Sequence, residues 1–122
     1  MQKILVIDDD ALVRSMIARV LRREGYEVML AADGASGLRM FCAGNPDLVV
    51  TDIIMPEKEG LETIREFRSR APDVKIIAIS GSGKIGDTDF LTIAAKLGAT
   101  EVLGKPFQPR ELVSQVARCL AG

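Results

Sequence analysis

The sequence predicts an α/β fold in which five parallel strands form one sheet with helices on both faces, a doubly wound (βα)5 three-layer sandwich. Short apolar runs alternate with amphipathic stretches along the whole 122-residue chain. The runs are continuous rather than alternating with polar residues, which is typical of strands buried on both faces. Right-handed crossovers between such strands place helices on the two sides of the sheet. No linker or repeat interrupts the pattern, so residues 1–122 are expected to form one domain.

The strands are predicted from five short runs rich in isoleucine, valine and leucine. In chain order they are residues 4–7, 27–31, 48–51, 74–79 and 100–103. The second run predicts a weaker strand, because it has a single β-branched side chain. Turn and cap residues bound each run, as expected for strands joined by helices.

The first two helices have recognisable start and stop signals. Asp10 is predicted to cap the first helix, which ends at Gly25. Six residues are predicted to share its apolar side: Leu12, Val13, Met16, Ile17, Val20 and Leu21. Asp33 is predicted to cap the second helix, which ends at residues 44–46. Its inward positions are predicted to be Leu38, Phe41 and Cys42.

Three more helices are predicted in the second half of the chain. The third carries inward-facing Leu61, Ile64 and Phe67 and closes at residues 71–72. The fourth covers about residues 88–97 and is unusually apolar. The last begins at Pro109, a residue that a first helical turn tolerates. Its apolar positions are predicted to be Leu112, Val113, Val116 and Leu120.

Composition excludes several classes of function. The net charge is −1, from sixteen basic and seventeen acidic side chains, so there is no basic field for direct nucleic-acid binding. No apolar run could span a bilayer and no signal peptide is recognisable, so we expect a cytoplasmic protein without membrane contact. Cys42 and Cys119 lack metal-type spacing and are expected to be buried thiols. Because the chain has no histidine, its chemistry must use carboxylates, hydroxyls and lysine.

Polar residues follow four of the five predicted strands. The sequences are Asp8-Asp9-Asp10 after the first strand, Thr51-Asp52 at the third, Ser80-Gly81 at the fourth and Gly104-Lys105 after the fifth. The carboxyl ends of parallel strands meet at one edge, where ligands of α/β sheets collect. The sequence therefore predicts a polar site at that edge, although Asp10 and Asp33 are explained more simply as helix caps.

The chemistry of this set points to phosphoryl transfer. Converging carboxylates repel one another, and a hard divalent cation such as Mg²⁺ relieves that repulsion through oxygen ligands. Lys105 adds a point charge suited to a phosphate oxygen. A carboxylate that attacks phosphorus gives an aspartyl phosphate, and the metal and lysine would neutralise charge on the phosphoryl group.

On these residues the chain resembles the receiver domains of two-component response regulators. The matching stretches are residues 4–10, Pro46 to Pro56, Gly60-Leu61-Glu62, Ile76 to Ser80, Gly98-Ala99 and Lys105-Pro106-Phe107. They cover the whole chain in the order of the predicted elements. The resemblance implies a flavodoxin-like strand order, 2-1-3-4-5. It also implies a signalling domain that catalyses only its own phosphorylation and dephosphorylation.

The resemblance also assigns roles to individual residues. Asp52 would be the phosphoacceptor, and Asp9, Asp52 and the backbone carbonyl of Ile54 would ligate Mg²⁺ directly. Asp8 would act mostly through a bound water. Ser80 and Lys105 would contact the transferred phosphoryl group. The donor would be a histidine kinase or a histidine phosphotransfer protein.

The readout is expected to differ from the usual one. Receivers usually have Tyr or Phe three residues before the lysine, and this chain has Val102. The loop after Ser80 contains three glycines and looks longer than is common. We expect an output domain or partner protein to contact the face around residues 88–120, with a homodimer as another outcome of phosphorylation.

Three alternatives remain open from the sequence. A metal-dependent phosphatase with an aspartyl nucleophile would usually need an acid at position 54, which is Ile54. A nucleotide- or flavin-binding module would need glycines after the first strand, where this chain has three aspartates. A pseudo-receiver that only binds proteins is disfavoured, because Asp8, Asp9, Asp52, Ser80 and Lys105 are all present.

Overall fold

A computed structural model of the chain describes residues 2–52, 59–80, 98–104 and 107–121, with side chains described except at residues 59–63 and 80. The strands are β1 (Lys3–Ile7), β2 (Glu27–Ala31), β3 (Leu48–Asp52), β4 (Lys75–Ser80) and β5 (Glu101–Gly104). The described helices are α1 (Ala11–Arg23), α2 (Gly34–Gly44), α3 (Glu59–Arg70) and α4 (Pro109–Ala121). The helix predicted for residues 88–97 lies outside the described residues.

All five strands pair in parallel in the order β2-β1-β3-β4-β5, which confirms the predicted sheet and strand order. The strand boundaries agree with the sequence prediction to within one residue. One of these small shifts matters for the site. Asp52 is the last residue of β3 rather than the first residue after it, and it pairs with Ile79 of β4.

The sheet has a hydrophobic core on each face. On one side, Ile4 and Val6 of β1 pack in a cluster with residues of α1 and α4. On the other side, Leu5 and Ile7 pack in a cluster with residues of α2 and α3, where the rings of Phe41 and Phe67 lie 4.7 Å apart. Successive residues of one strand therefore supply both cores, because side chains alternate across a strand. This explains why the strands are apolar throughout.

Asp10 and Asp33 cap helices, as the sequence predicts. The Asp10 carboxylate accepts hydrogen bonds from the first turn of α1, and the Asp33 carboxylate accepts one from the Ser36 N–H at 2.7 Å. The bond from Ser36 lowers the pKa of Asp33 from its ordinary value. At the end of α2, Asn45 adopts a left-handed backbone conformation with φ of 48°. Both aspartates are thus explained by local structure.

Two predicted inward positions are wrong. Leu12 is 83% exposed, and the buried residues of α1 are Ile17, Ala18 and Leu21. The apolar stripe of α1 is wider than the part of the helix that packs against the core, so Leu12 at its edge remains open to solvent. Cys42 is also exposed, because the face that α2 buries includes Phe41 and Cys42 lies beside that face. Among the described residues, no helix is long and apolar enough to cross a membrane.

Candidate functional site

The carboxyl ends of β1 and β3 lie side by side and carry three aspartates. Asp8 and Asp9 follow β1, and Asp52 ends β3. Ile7 pairs with Thr51 in the sheet, which brings the ends of the two strands together. One carboxylate oxygen from each aspartate lies within 4.8 Å of the other two. The structure therefore brings together three of the residues that the sequence predicts for the site.

The three carboxylates differ in their exposure to solvent. Asp8 is 1% exposed and Asp52 is 4% exposed, whereas Asp9 lies on the exposed rim. Like charges at this spacing raise one another's free energy, and the two buried ones cannot be fully solvated. A hard divalent cation with oxygen ligands relieves both problems, and the exposed rim lets it keep bound waters. The donor set fits Mg²⁺.

The turn after β1 is held by its own backbone. The Asp8 N–H donates to the carbonyl of Ala31 at 3.2 Å, which ties the turn to the end of β2. The Asp8 carboxylate accepts a hydrogen bond from the Asp10 N–H at 2.9 Å. Asp10 in turn accepts from the N–H groups of Leu12 at 2.9 Å and Val13 at 3.4 Å. The acidic turn is therefore continuous with the start of α1, which fixes its direction.

Arg14 contacts the same turn, although its sequence position did not predict a role in the site. Its Nη1 donates to the backbone carbonyl of Asp8 at 2.7 Å. The signal in the sequence is an arginine on the first turns of a helix that follows an acidic loop. Helical side chains lean toward the N-terminus, so a long side chain at that position reaches the loop.

Thr51 precedes the third aspartate and is fully buried. Its hydroxyl donates to the backbone carbonyl of Asp52, the last residue of the strand, at 3.3 Å. Asp52 is paired on one side through the register with β4 and follows a residue paired with β1 on the other. Its backbone is therefore held by the centre of the sheet.

The remaining predicted residues are described only in part. Ser80 ends β4 and pairs with Gly104 of β5, so its backbone lies at the same edge of the sheet. Lys105 follows Gly104 in the sequence, but Lys105 and Ile54 both lie outside the described residues. Val102 is half-buried and packs with the cluster on the α2 and α3 side.

Comparisons with known proteins show which family this chain is similar to. Residues 4–117 match the family described as the response regulator receiver domain. The chain is similar to the alkaline phosphatase synthesis transcriptional regulatory protein SphR of Synechococcus elongatus, with 40% identity over 98% of this chain and 48% of SphR. It is also similar to the DNA-binding transcriptional regulator NtrC of Rhizobium meliloti, with 35% identity over 97% of this chain and 24% of NtrC.

Solved structures show the same similarity. A crystal structure of a response regulator receiver domain protein from Clostridium thermocellum superposes with a TM-score of 0.91 and 33% identity, over 99% of this chain and 95% of that one. The chain spans about half or less of the length of the two curated relatives, so it matches one part of each of those regulators.

Proposed function

The chain belongs to the response regulator receiver domain family, a family of signalling domains, and from this premise we propose that it is phosphorylated on Asp52. The proposed donor is a histidine kinase or a histidine phosphotransfer protein, and the proposed metal is Mg²⁺. One observation carries the proposal: the oxygens of Asp8, Asp9 and Asp52 converge within 4.8 Å at the carboxyl edge of the sheet. We further propose that residues 1–122 make up one receiver domain.

Asp52 is the nucleophile in this proposal. One of its carboxylate oxygens forms an O–P bond while the P–N bond to the donor histidine breaks. The electron pair of that bond leaves with the imidazole nitrogen, and the product is an aspartyl phosphate. Later attack of water on phosphorus returns the aspartate and releases inorganic phosphate. The chain would thus catalyse only its own phosphorylation and dephosphorylation.

The metal would be held by Asp9, Asp52 and the backbone carbonyl of Ile54, with Asp8 acting mostly through a water. When bound, Mg²⁺ supplies positive charge that lowers the repulsion between the acceptor carboxylate and the incoming phosphoryl oxygens. Asp8 keeps its place through the hydrogen bonds of the acidic turn, so this part of the donor set is formed before any ligand arrives.

Ser80 and Lys105 complete the proposed site. Lys105 would pair with a phosphoryl oxygen, and Ser80 would donate its hydroxyl to another after transfer. The pairing of Ser80 with Gly104 supports this role, because it sets the ends of β4 and β5 at the same edge as Asp52.

The output is proposed to pass through the face around residues 88–120, to an output domain, a partner protein or a second copy of this chain. The described part of that face includes β5 and α4. Gln115 of α4 donates to the carbonyl of Val102 at 3.2 Å, which supports mechanical coupling between the two elements. Valine at position 102 cannot act as the aromatic switch that is usual in receivers.

We propose a cytoplasmic setting, which suits two free cysteines.

The test is intact mass after incubation with Mg²⁺ and acetyl phosphate. The wild-type chain is expected to gain one phosphoryl group, and Asp52→Asn is expected to gain none. Asp73→Asn is the matched control, because Asp73 is an exposed aspartate in the turn after α3, far from the carboxyl edge. An adduct on Asp52→Asn would show that another residue accepts the phosphoryl group. Absence of an adduct on all three proteins would favour a pseudo-receiver.

A further inference from the structure

Arg14 is a cationic side chain that is hydrogen-bonded to the acidic turn. Its backbone N–H donates to the carbonyl of Asp10 at 2.9 Å, which fixes its place in the first turns of α1. Its Nη1 donates to the carbonyl of Asp8 at 2.7 Å. The side chain is half-buried, so this charge-assisted bond is less screened than one on the open surface.

The accepting carbonyl belongs to the peptide group that joins Asp8 to Asp9. A hydrogen bond to that oxygen restricts rotation of the peptide plane, and the plane sets the direction in which the Asp9 side chain leaves the backbone. Asp8 is held independently, by the bond from its N–H to Ala31 and by the bond from Asp10 to its carboxylate. Arg14 therefore acts mainly on the relative placement of the two carboxylates.

The positive charge of Arg14 has two opposite effects on metal binding. Its attraction for the carboxylates offsets part of their mutual repulsion, which favours their convergence when no metal is present. It also repels a divalent cation, which by itself would weaken binding. The sign of the change when Arg14 is removed therefore tells which effect dominates.

We propose that Arg14 is a positioning residue that pre-forms the divalent-cation site of Asp8, Asp9 and Asp52 through the Asp8 carbonyl. This inference rests on the proposed function, because it concerns the metal that the acceptor uses. Outer-shell partners of this kind typically change metal affinity by about 10-fold or more when removed. Loss of Arg14 then weakens Mg²⁺ binding, although it removes a positive charge from the neighbourhood of the cation.

The experiment measures the dissociation constant for Mg²⁺ by calorimetry in wild type, Arg14→Met and Arg14→Lys. Arg14→Met is expected to raise the dissociation constant about 10-fold. Arg14→Lys keeps the positive charge and N–H donors, so it is expected to raise the constant by clearly less. The concentration of Mg²⁺ that half-saturates phosphorylation by acetyl phosphate rises by the same factors. The rate at saturating Mg²⁺ stays within about twofold of wild type, because Arg14 does not touch the reacting atoms.

Arg19→Met is the matched control, since Arg19 is an exposed arginine on the same helix and its loss makes the same change in net charge. It is expected to leave the Mg²⁺ constant unchanged. A lower melting temperature of Arg14→Met with unchanged or tighter Mg²⁺ binding would overturn the inference and leave the proposed function intact. Absence of Mg²⁺ binding by wild type would overturn both.

Discussion

At the scale of single residues, position within an element decided more than residue type. Asp10 and Asp8 are neighbours in a run of three aspartates, but one caps a helix and the other is buried at the site. Gly37 allows α2 to approach the sheet, because a Cβ there would lie 2.9 Å from Cγ1 of Ile7 and closer still to its Cδ1. Amino-acid composition predicts neither the two roles of the aspartates nor the need for glycine at position 37, because both depend on the neighbouring atoms in the fold.

The two cysteines should differ sharply in reactivity. Burial raises the pKa of Cys119 to about 11, with the nearby Glu101 carboxylate adding to the effect, whereas Cys42 is exposed. Only the thiolate reacts with iodoacetamide, and at pH 8 about one Cys119 thiol in a thousand is ionised. Native protein is therefore expected to take up one label rapidly, as measured by intact mass.

The label should be absent from Cys42→Ser and unchanged in Cys119→Ser under native conditions. In denaturant the wild type should take up two labels, because burial of Cys119 is lost. Equal labelling rates of both thiols in the native protein would contradict the burial of Cys119 in the cluster with α4.

At the scale of elements, two side chains join segments that are far apart in the sequence. Arg118 of α4 donates to both carboxylate oxygens of Glu101 at the start of β5, at 2.8 and 2.5 Å. These bonds lower the pKa of Glu101, so their contribution to stability is present above the unfolded-state pKa and is lost as pH falls through the folded-state value. Arg68 of α3 is the second of these side chains, and its hydrogen bonds go to backbone carbonyls.

The guanidinium of Arg68 connects the turn after α3 to the start of β5. Nη1 donates to the carbonyls of Pro72 at 2.6 Å and Val74 at 2.8 Å, and Nη2 donates to the carbonyl of Gly98 at 2.6 Å. Arg68→Met should therefore lower the free energy of unfolding by about 2–4 kcal/mol, because three backbone carbonyls lose charge-assisted bonds, two of them part-buried. Urea denaturation followed by circular dichroism measures this loss.

Arg65→Met is the control for Arg68→Met, because Arg65 is an exposed arginine one turn earlier on α3. It is expected to change the free energy of unfolding by about 0.5 kcal/mol or less, as is usual for surface substitutions. A loss at Arg68 no larger than the loss at Arg65 would show that the junction contributes little in solution.

At the scale of the whole molecule, the acidic site opposes the stability of the sheet that carries it. The aspartates lie at the ends of β1 and β3, which are neighbours inside the sheet, so their mutual repulsion acts on interior strands of the sheet. A ligand that binds only the folded state stabilises it by mass action, by about 2.7 kcal/mol at a concentration one hundred times its dissociation constant. We therefore expect binding of a divalent cation at the three aspartates to raise the stability of the fold.

Asp52→Asn should separate these two effects. Without divalent metal it is expected to melt at a higher temperature than wild type, because one of three repelling charges is removed. Added Mg²⁺ should raise the melting temperature of wild type and of Asp73→Asn, and should raise that of Asp52→Asn much less. Equal shifts in all three proteins, measured by differential scanning calorimetry, would place the metal away from Asp52.

Much of the fold and part of the site followed from the sequence alone. Continuous apolar runs, helix caps at Asp10 and Asp33 and acidic residues after strands depend on local spacing, so they predicted the parallel sheet and the edge that carries Asp8, Asp9 and Asp52. The resemblance to receiver domains added the strand order, which the structure confirms.

Only the tertiary structure decided how much of each apolar stripe is covered and which side chains support the site. Leu12 and Cys42 have helical spacing suited to burial, but each lies beside the face that its helix buries. Arg14 and Arg68 are ordinary helix arginines until the fold brings backbone carbonyls within reach. Local spacing determines an element's own face, whereas burial and long-range bonds depend on the width and register of the element that it meets.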